Sequence, residues 1–141
     1  MRGYTLIELV AVLMLLAVGA SAFAPTARRL SDLATVSAAR EEIVALLGEA
    51  RAVAMSTGGS TVTLVAQPPT ARIESGGVSI RSLELGSHRA VRLILGADRD
   101  SVSLRFNGLG LGGFASQTIE VSRGGVSAFV IVSSYGRVRR R

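Results

Sequence analysis

Glu8 is the single charged residue between Tyr4 and Ala24, and four residues separate it from Gly3. A carboxylate inside an apolar run costs about 3 kcal/mol in a bilayer unless it is partnered, so its presence there points to a function. At the other end, Gly136-Arg137-Val138-Arg139-Arg140-Arg141 concentrates guanidinium groups. If the last strand continues through Gly136, Arg137 and Arg139 share a face, because strand side chains repeat every two residues. Guanidinium groups hold phosphate bidentately, and a few such contacts give salt-sensitive nucleic-acid binding that ignores sequence. A solvated basic end, or one facing lipid headgroups, is the plainer alternative.

Other candidates carry less. His88 is the one histidine, set between Ser87 and Arg89 in what reads as an exposed loop. There is no cysteine and no nucleophile elbow, and no pair of ligands has metal-site spacing. Catalysis, a resident metal and a cofactor are therefore not expected. Asp98-Arg99-Asp100 offers two carboxylates but lacks an EF-hand continuation, and reads as a turn. The glycines of Asn107-Gly108-Leu109-Gly110-Leu111-Gly112-Gly113 suggest a dinucleotide loop, yet no amphipathic helix follows. A mobile hairpin loop carrying Leu109, Leu111 and Phe114 fits the pattern better, and those side chains either contact a neighbouring subunit or fold back on the sheet.

The elements that must position these residues follow from periodicity. Leu6 to Ala24 makes a helix roughly 28 Å long, about the hydrocarbon thickness of a bilayer. Pro25 breaks or kinks the helix after it. Val36, Ala39, Ile43, Leu46, Leu47, Ala50, Val53 and Ala54 then recur at three- and four-residue steps, an amphipathic stripe over about 27–57. Gly58-Gly59 stops it. From Thr61 the period becomes two. Strands are expected over 61–65, around Val78 and Ile80, at Val91–Leu95, at Val102–Phe106 and at Ile119–Val121. Leu83 and Leu85 fall out of phase, which indicates a bulge or two short strands. Gly124-Gly125 is a hairpin turn, and Val126–Val132, apolar on both faces, reads as the best-buried strand.

A helix followed by strands only is an α+β arrangement: a long helix, membrane-spanning in its first half and amphipathic in its second, packed on an antiparallel sheet over about 60–139. All 16 basic residues are arginine, as a GC-rich genome would favour, and the net charge is +6. Residues 126–141 hold four arginines and no acid, so two-thirds of that charge lies in the tail.

Gly3-Tyr4-Thr5-Leu6-Ile7-Glu8 resembles the class III leader of type IV pilins and type II secretion pseudopilins, with tyrosine where phenylalanine is usual. The resemblance implies a prepilin peptidase that cuts after Gly3 and methylates the new amino terminus at Tyr4. It also implies that Glu8 pairs with that terminus in a neighbouring pilin, consistent with the need of a buried carboxylate for a cation. Residues 1–3 would be the leader, 4–25 the transmembrane and assembly helix, and 26–141 a periplasmic pilin-like domain on a single-pass inner-membrane protein. Arg28 and Arg29 lie just past the span, where a positive-inside rule disfavours cations, so the leader rather than charge sets the topology. Glu49–Ala54 leading into Val62-Thr63-Leu64, and Ile131–Val138 at the end, are similar to GspH/FimT-type pseudopilins. The Gly136-Arg137-Val138-Arg139 step also resembles the tail of FimT-like minor pilins that bind double-stranded DNA for uptake. Two readings outside that family stay open. Ala20-Ser21-Ala22 and Ala22-Phe23-Ala24 could end a secretory signal peptide, although the run is overlong and Glu8 would serve nothing. A plain signal anchor with a snorkelling Glu8 is the other.

Overall fold

The computed structural model describes residues 5–141, with the side chains of Ala22 and His88 left aside. Helix α1 runs without interruption from Leu6 to Thr57. Pro25 does not end it. A lone proline removes one backbone hydrogen bond, and the strong helix formers on both sides carry the helix through. At the far end Gly58 takes the left-handed conformation (φ 89°) and its N–H reaches the Ala54 carbonyl at 2.9 Å, closing the last turn.

Two four-stranded antiparallel sheets follow, rather than one. The first comprises β1 (Gly59–Val65), β2 (Thr70–Ser75), β3 (Val78–Glu84) and β5 (Ser101–Asn107), in the order β3-β2-β1-β5. A short helix α2 (Leu85–Arg89) leads from it to β4 (Arg92–Leu95). The second sheet contains β4, β6 (Gln117–Arg123), β7 (Val126–Val132) and β8 (Val138–Arg140), in the order β4-β6-β7-β8. The out-of-phase leucines have a simple origin. The β2–β3 register slips between Ile73 and Glu74, which leaves Ile80 unpaired as a bulge, and Leu85 already belongs to α2.

Seven of the eight stripe residues on α1 are buried, from Val36 to Ala54, and Val53 is half-buried. They meet the inward rows of both sheets: Val62 and Leu64 of β1, Ala71 and Ile73 of β2, Leu104 of β5, Ile119 and Val121 of β6, Val130 and Val132 of β7. Burying a leucine or isoleucine contributes about 1.5–3 kcal/mol, so this layer fixes the helix on the sheets. Strand β7 is interior to its sheet but alternates: Ala128, Val130 and Val132 face the core, while Phe129 and Ile131 are half-buried on the outer face. The expectation of burial on both faces fails because nothing layers over that outer side.

Candidate functional site

The first half of α1 projects from this head. From Leu6 to Val18 every residue is exposed, and the most apolar window of the helix has none of its residues buried. By length and composition it could cross a membrane. Residues Leu6–Ser31 extend about 39 Å at the helical rise of 1.5 Å per residue. Glu8 sits in the first turn, where its carboxylate accepts from the Thr5 N–H at 3.4 Å. Among the described residues it forms no ion pair. Gly3 and Tyr4, assigned from the leader pattern to cleavage and methylation, lie outside the described residues.

The second half of α1 carries carboxylates that each take an arginine from the head. Asp32 binds Arg123 of β6 at 3.0 Å, Glu42 binds Arg89 of α2, and Glu49 binds Arg81 of β3. Glu41 binds Arg140 of β8 and its neighbour Arg40, each at 3.0 Å. Exposed pairs contribute about 0–1 kcal/mol each. The Asp32 carboxylate is the most protected, with 19% of its side chain exposed. Arg123 also donates to the Arg89 carbonyl at 2.7 Å, tying two of these contacts together. None of the cross-pairs was evident from the sequence, since residues 32 to 99 positions apart give no local signal.

The C-terminal arginines are arranged by a turn that the sequence reading missed. The last strand does not continue through Gly136. The Gly136 N–H bonds the Ser133 carbonyl at 2.8 Å, and the Ser133 N–H bonds the Arg137 carbonyl at 2.9 Å. Gly136 has φ +83°, and a Cβ there would lie 2.9 Å from the Phe106 ring, so the position requires glycine. The chain therefore doubles back, and β8 pairs with β7 through Val132↔Val138, Ile131↔Arg139 and Val130↔Arg140. Pairing extends to the end of the chain: Phe129 and Arg141 exchange both backbone hydrogen bonds, at 2.8 and 3.0 Å. The tail is thus an edge strand, not a loose end.

Alternation then sorts the four arginines. Val138 turns inward against the core, and Arg140, on the same side, reaches Glu41 on α1. Arg137 and Arg139 turn outward and line an open groove of about 370 Å³ with Ser116, Ile131, Ser133 and Tyr135. Arg141 follows at the next alternate position and is exposed. Among the described residues, no carboxylate pairs with Arg137, Arg139 or Arg141. Sequence reasoning placed Arg137 and Arg139 together correctly, and it did not separate Arg140 from them.

The remaining sequence candidates lie elsewhere in the head. His88 lies in α2 rather than in a loop. Asp98 and Asp100 stand in an exposed turn in which Ala97 and Asp98 have positive φ. The glycine-rich segment turns back on the end of β5, with Phe106 bridging Gly112 antiparallel and the Asn107 N–H bonding the Leu111 carbonyl at 3.0 Å, before the chain crosses to the second sheet. The Asn107 side chain accepts from the Leu109 and Leu111 N–H groups at 3.0 Å, and Arg51 donates to the Gly110 carbonyl at 3.0 Å. Phe114 folds back edge-on to Phe106, with ring centroids 5.7 Å apart, while Leu109 and Leu111 stay exposed.

A long helix whose free half is apolar and whose other half lies across antiparallel sheets has a counterpart among solved structures. The Pseudomonas aeruginosa type IV minor pilin FimU superposes with a TM-score of 0.60 over 75% of this chain and 87% of its own length, at 17% identity. The fold is that of a pilin. No protein-family model matches the sequence, and no curated protein matches it closely.

Proposed function

We propose that the chain is a minor pilin-like subunit of GspH/FimT type, assembled into a type II secretion pseudopilus or a type IV pilus-like filament. Prepilin peptidase cuts after Gly3 and methylates Tyr4; residues 4–25 sit in the inner membrane, and 26–141 form the periplasmic domain. The observation that carries this reading is the apolar stalk, exposed at every residue from Leu6 to Val18 and bearing one carboxylate. Eleven large apolar side chains, from Leu6 to Phe23, face solvent in the isolated chain. Lipid before assembly, and neighbouring stalks after it, remove that surface from water. Glu8 is then a buried anion, which the methylated amino terminus of an adjacent subunit neutralises. The test is Glu8→Ala in a filament-forming strain. The variant should insert into the membrane normally and be missing from sheared filaments; normal incorporation would overturn the assignment.

The paired C-terminal edge favours a second reading of the same subunit, a minor pilin that binds DNA for uptake. Three outward arginines that have no carboxylate partner among the described residues form a basic edge on a paired strand. Electrostatic binding of this kind falls steeply with salt. Binding of duplex DNA by the full chain in micelles, lost in Arg137→Ala/Arg139→Ala, supports it; an unaffected double variant removes the tail from consideration.

A further inference from the structure

Tyr135 has no role in either reading above, and its setting is unusual. It occupies the third position of the Ser133–Gly136 turn, and 75% of it is exposed. A bulky aromatic ring on a tight turn gains nothing from burial there. The ring stands between two grooves. On one side it lines the Arg137–Arg139 groove floored by Ile131; on the other it lines a second groove with Arg137, Val44, Gly48 and Arg51. Arg137 borders both.

Height above the membrane decides which anion such a site could meet. The groove is level with Gly48 on α1, and the apolar run ends at Ala24. Twenty-four residues of helix raise it about 36 Å. The surface potential of anionic lipid falls off within a Debye length, about 8 Å at physiological salt. Lipid headgroups are therefore out of reach, and the partner must come from beyond the membrane.

Side-chain chemistry then narrows the class. Arg137, Arg139 and Arg141 repeat every second residue along an extended strand, about 6.8 Å apart. This suits the backbone of an extended polyanion. A duplex keeps its bases stacked and offers an exposed ring only phosphate and sugar. A single strand offers unstacked bases, and an aromatic platform beside arginines is how sheet-based proteins hold them. We propose that the Tyr135 turn is a base-stacking platform and that the groove takes single-stranded nucleic acid, the ring holding a base while Arg137 and Arg139 hold the flanking phosphates. This rests on the nucleic-acid reading of the tail and specifies its ligand.

The test uses the full chain in detergent micelles and fluorescence anisotropy with two probes, a labelled oligothymidylate and a duplex of equal length. The single strand should bind more tightly. Tyr135→Ala should weaken it about tenfold, the loss of one stacked base, and leave duplex binding within about twofold. Tyr135→Phe should restore the wild-type value. Equal effects on both probes, or none on the single strand, overturn the platform while leaving a basic DNA-binding edge. If neither probe binds, or if Arg137→Ala/Arg139→Ala binds both normally, the nucleic-acid reading falls and the platform with it.

Discussion

Removing outward arginines from the last strand should change the salt dependence of nucleic-acid binding by a calculable amount. Two guanidinium groups line the groove, at positions 137 and 139, and Arg141 is exposed at the next alternate position, while Arg140 is held by Glu41 on the helix. For a single strand, log K falls with log salt at a slope of about −0.7 for each phosphate neutralised, which gives about −2.1 for three contacts. Raising salt from about 50 to 200 mM should then weaken binding about 18-fold. With only Arg141 left, Arg137→Ala/Arg139→Ala should lose about 2.6-fold over the same range. Arg140→Ala is the internal control and should keep the full slope, because its charge is already spent on Glu41. Anisotropy titrations at four or five salt concentrations measure all three proteins. A slope in Arg140→Ala as shallow as in the double variant would refute the sorting of the arginines by strand alternation. An unchanged slope in the double variant would refute the groove.

Other expectations concern the scaffold. Leu47→Ala removes a fully buried contact between α1 and the sheets, and should cost about 2–5 kcal/mol, read as a lowered thermal midpoint. Gly136→Ala forces a left-handed residue into the Phe106 ring; β8 should detach, raising amide exchange at Phe129 and Ser133, whose N–H groups bond that strand, while the β1 amides stay protected. Asp32→Ala breaks the lowest contact between helix and head and leaves Arg123 unpaired. Hydrogen exchange should rise over residues 30–38, with the global midpoint lowered by no more than the equivalent of about 1 kcal/mol.

Periodicity revealed the part of the fold that depends on local pattern. The α1 stripe, the alternation of Val102, Leu104 and Phe106, and the glycine hairpin between β6 and β7 were all legible. β2 was not, because Thr70–Ser75 contributes only Ala71 and Ile73 to the core and follows two prolines that read as an ending. The division into two sheets was also hidden, since it depends on where the glycine-rich segment carries the chain after Asn107. At the tail, alternation correctly grouped Arg137 with Arg139, but the turn at Gly136 is a backbone event that a run of apolar and small residues does not announce. Arg140 looked equivalent to its neighbours until Glu41 proved to lie beneath it.

The placement of the ion pairs along α1 has a mechanical consequence. Asp32, Glu41, Glu42 and Glu49 reach into the head at successive heights, from near the stalk to near the helix end, with the apolar stripe between them. A pull delivered through the stalk runs parallel to this seam, so every contact is loaded at once and none can be peeled open first. The head would then follow the stalk as one stiff piece. A sideways force on the stalk would instead fall first on Asp32 and Arg123, making that pair the joint at which the molecule bends.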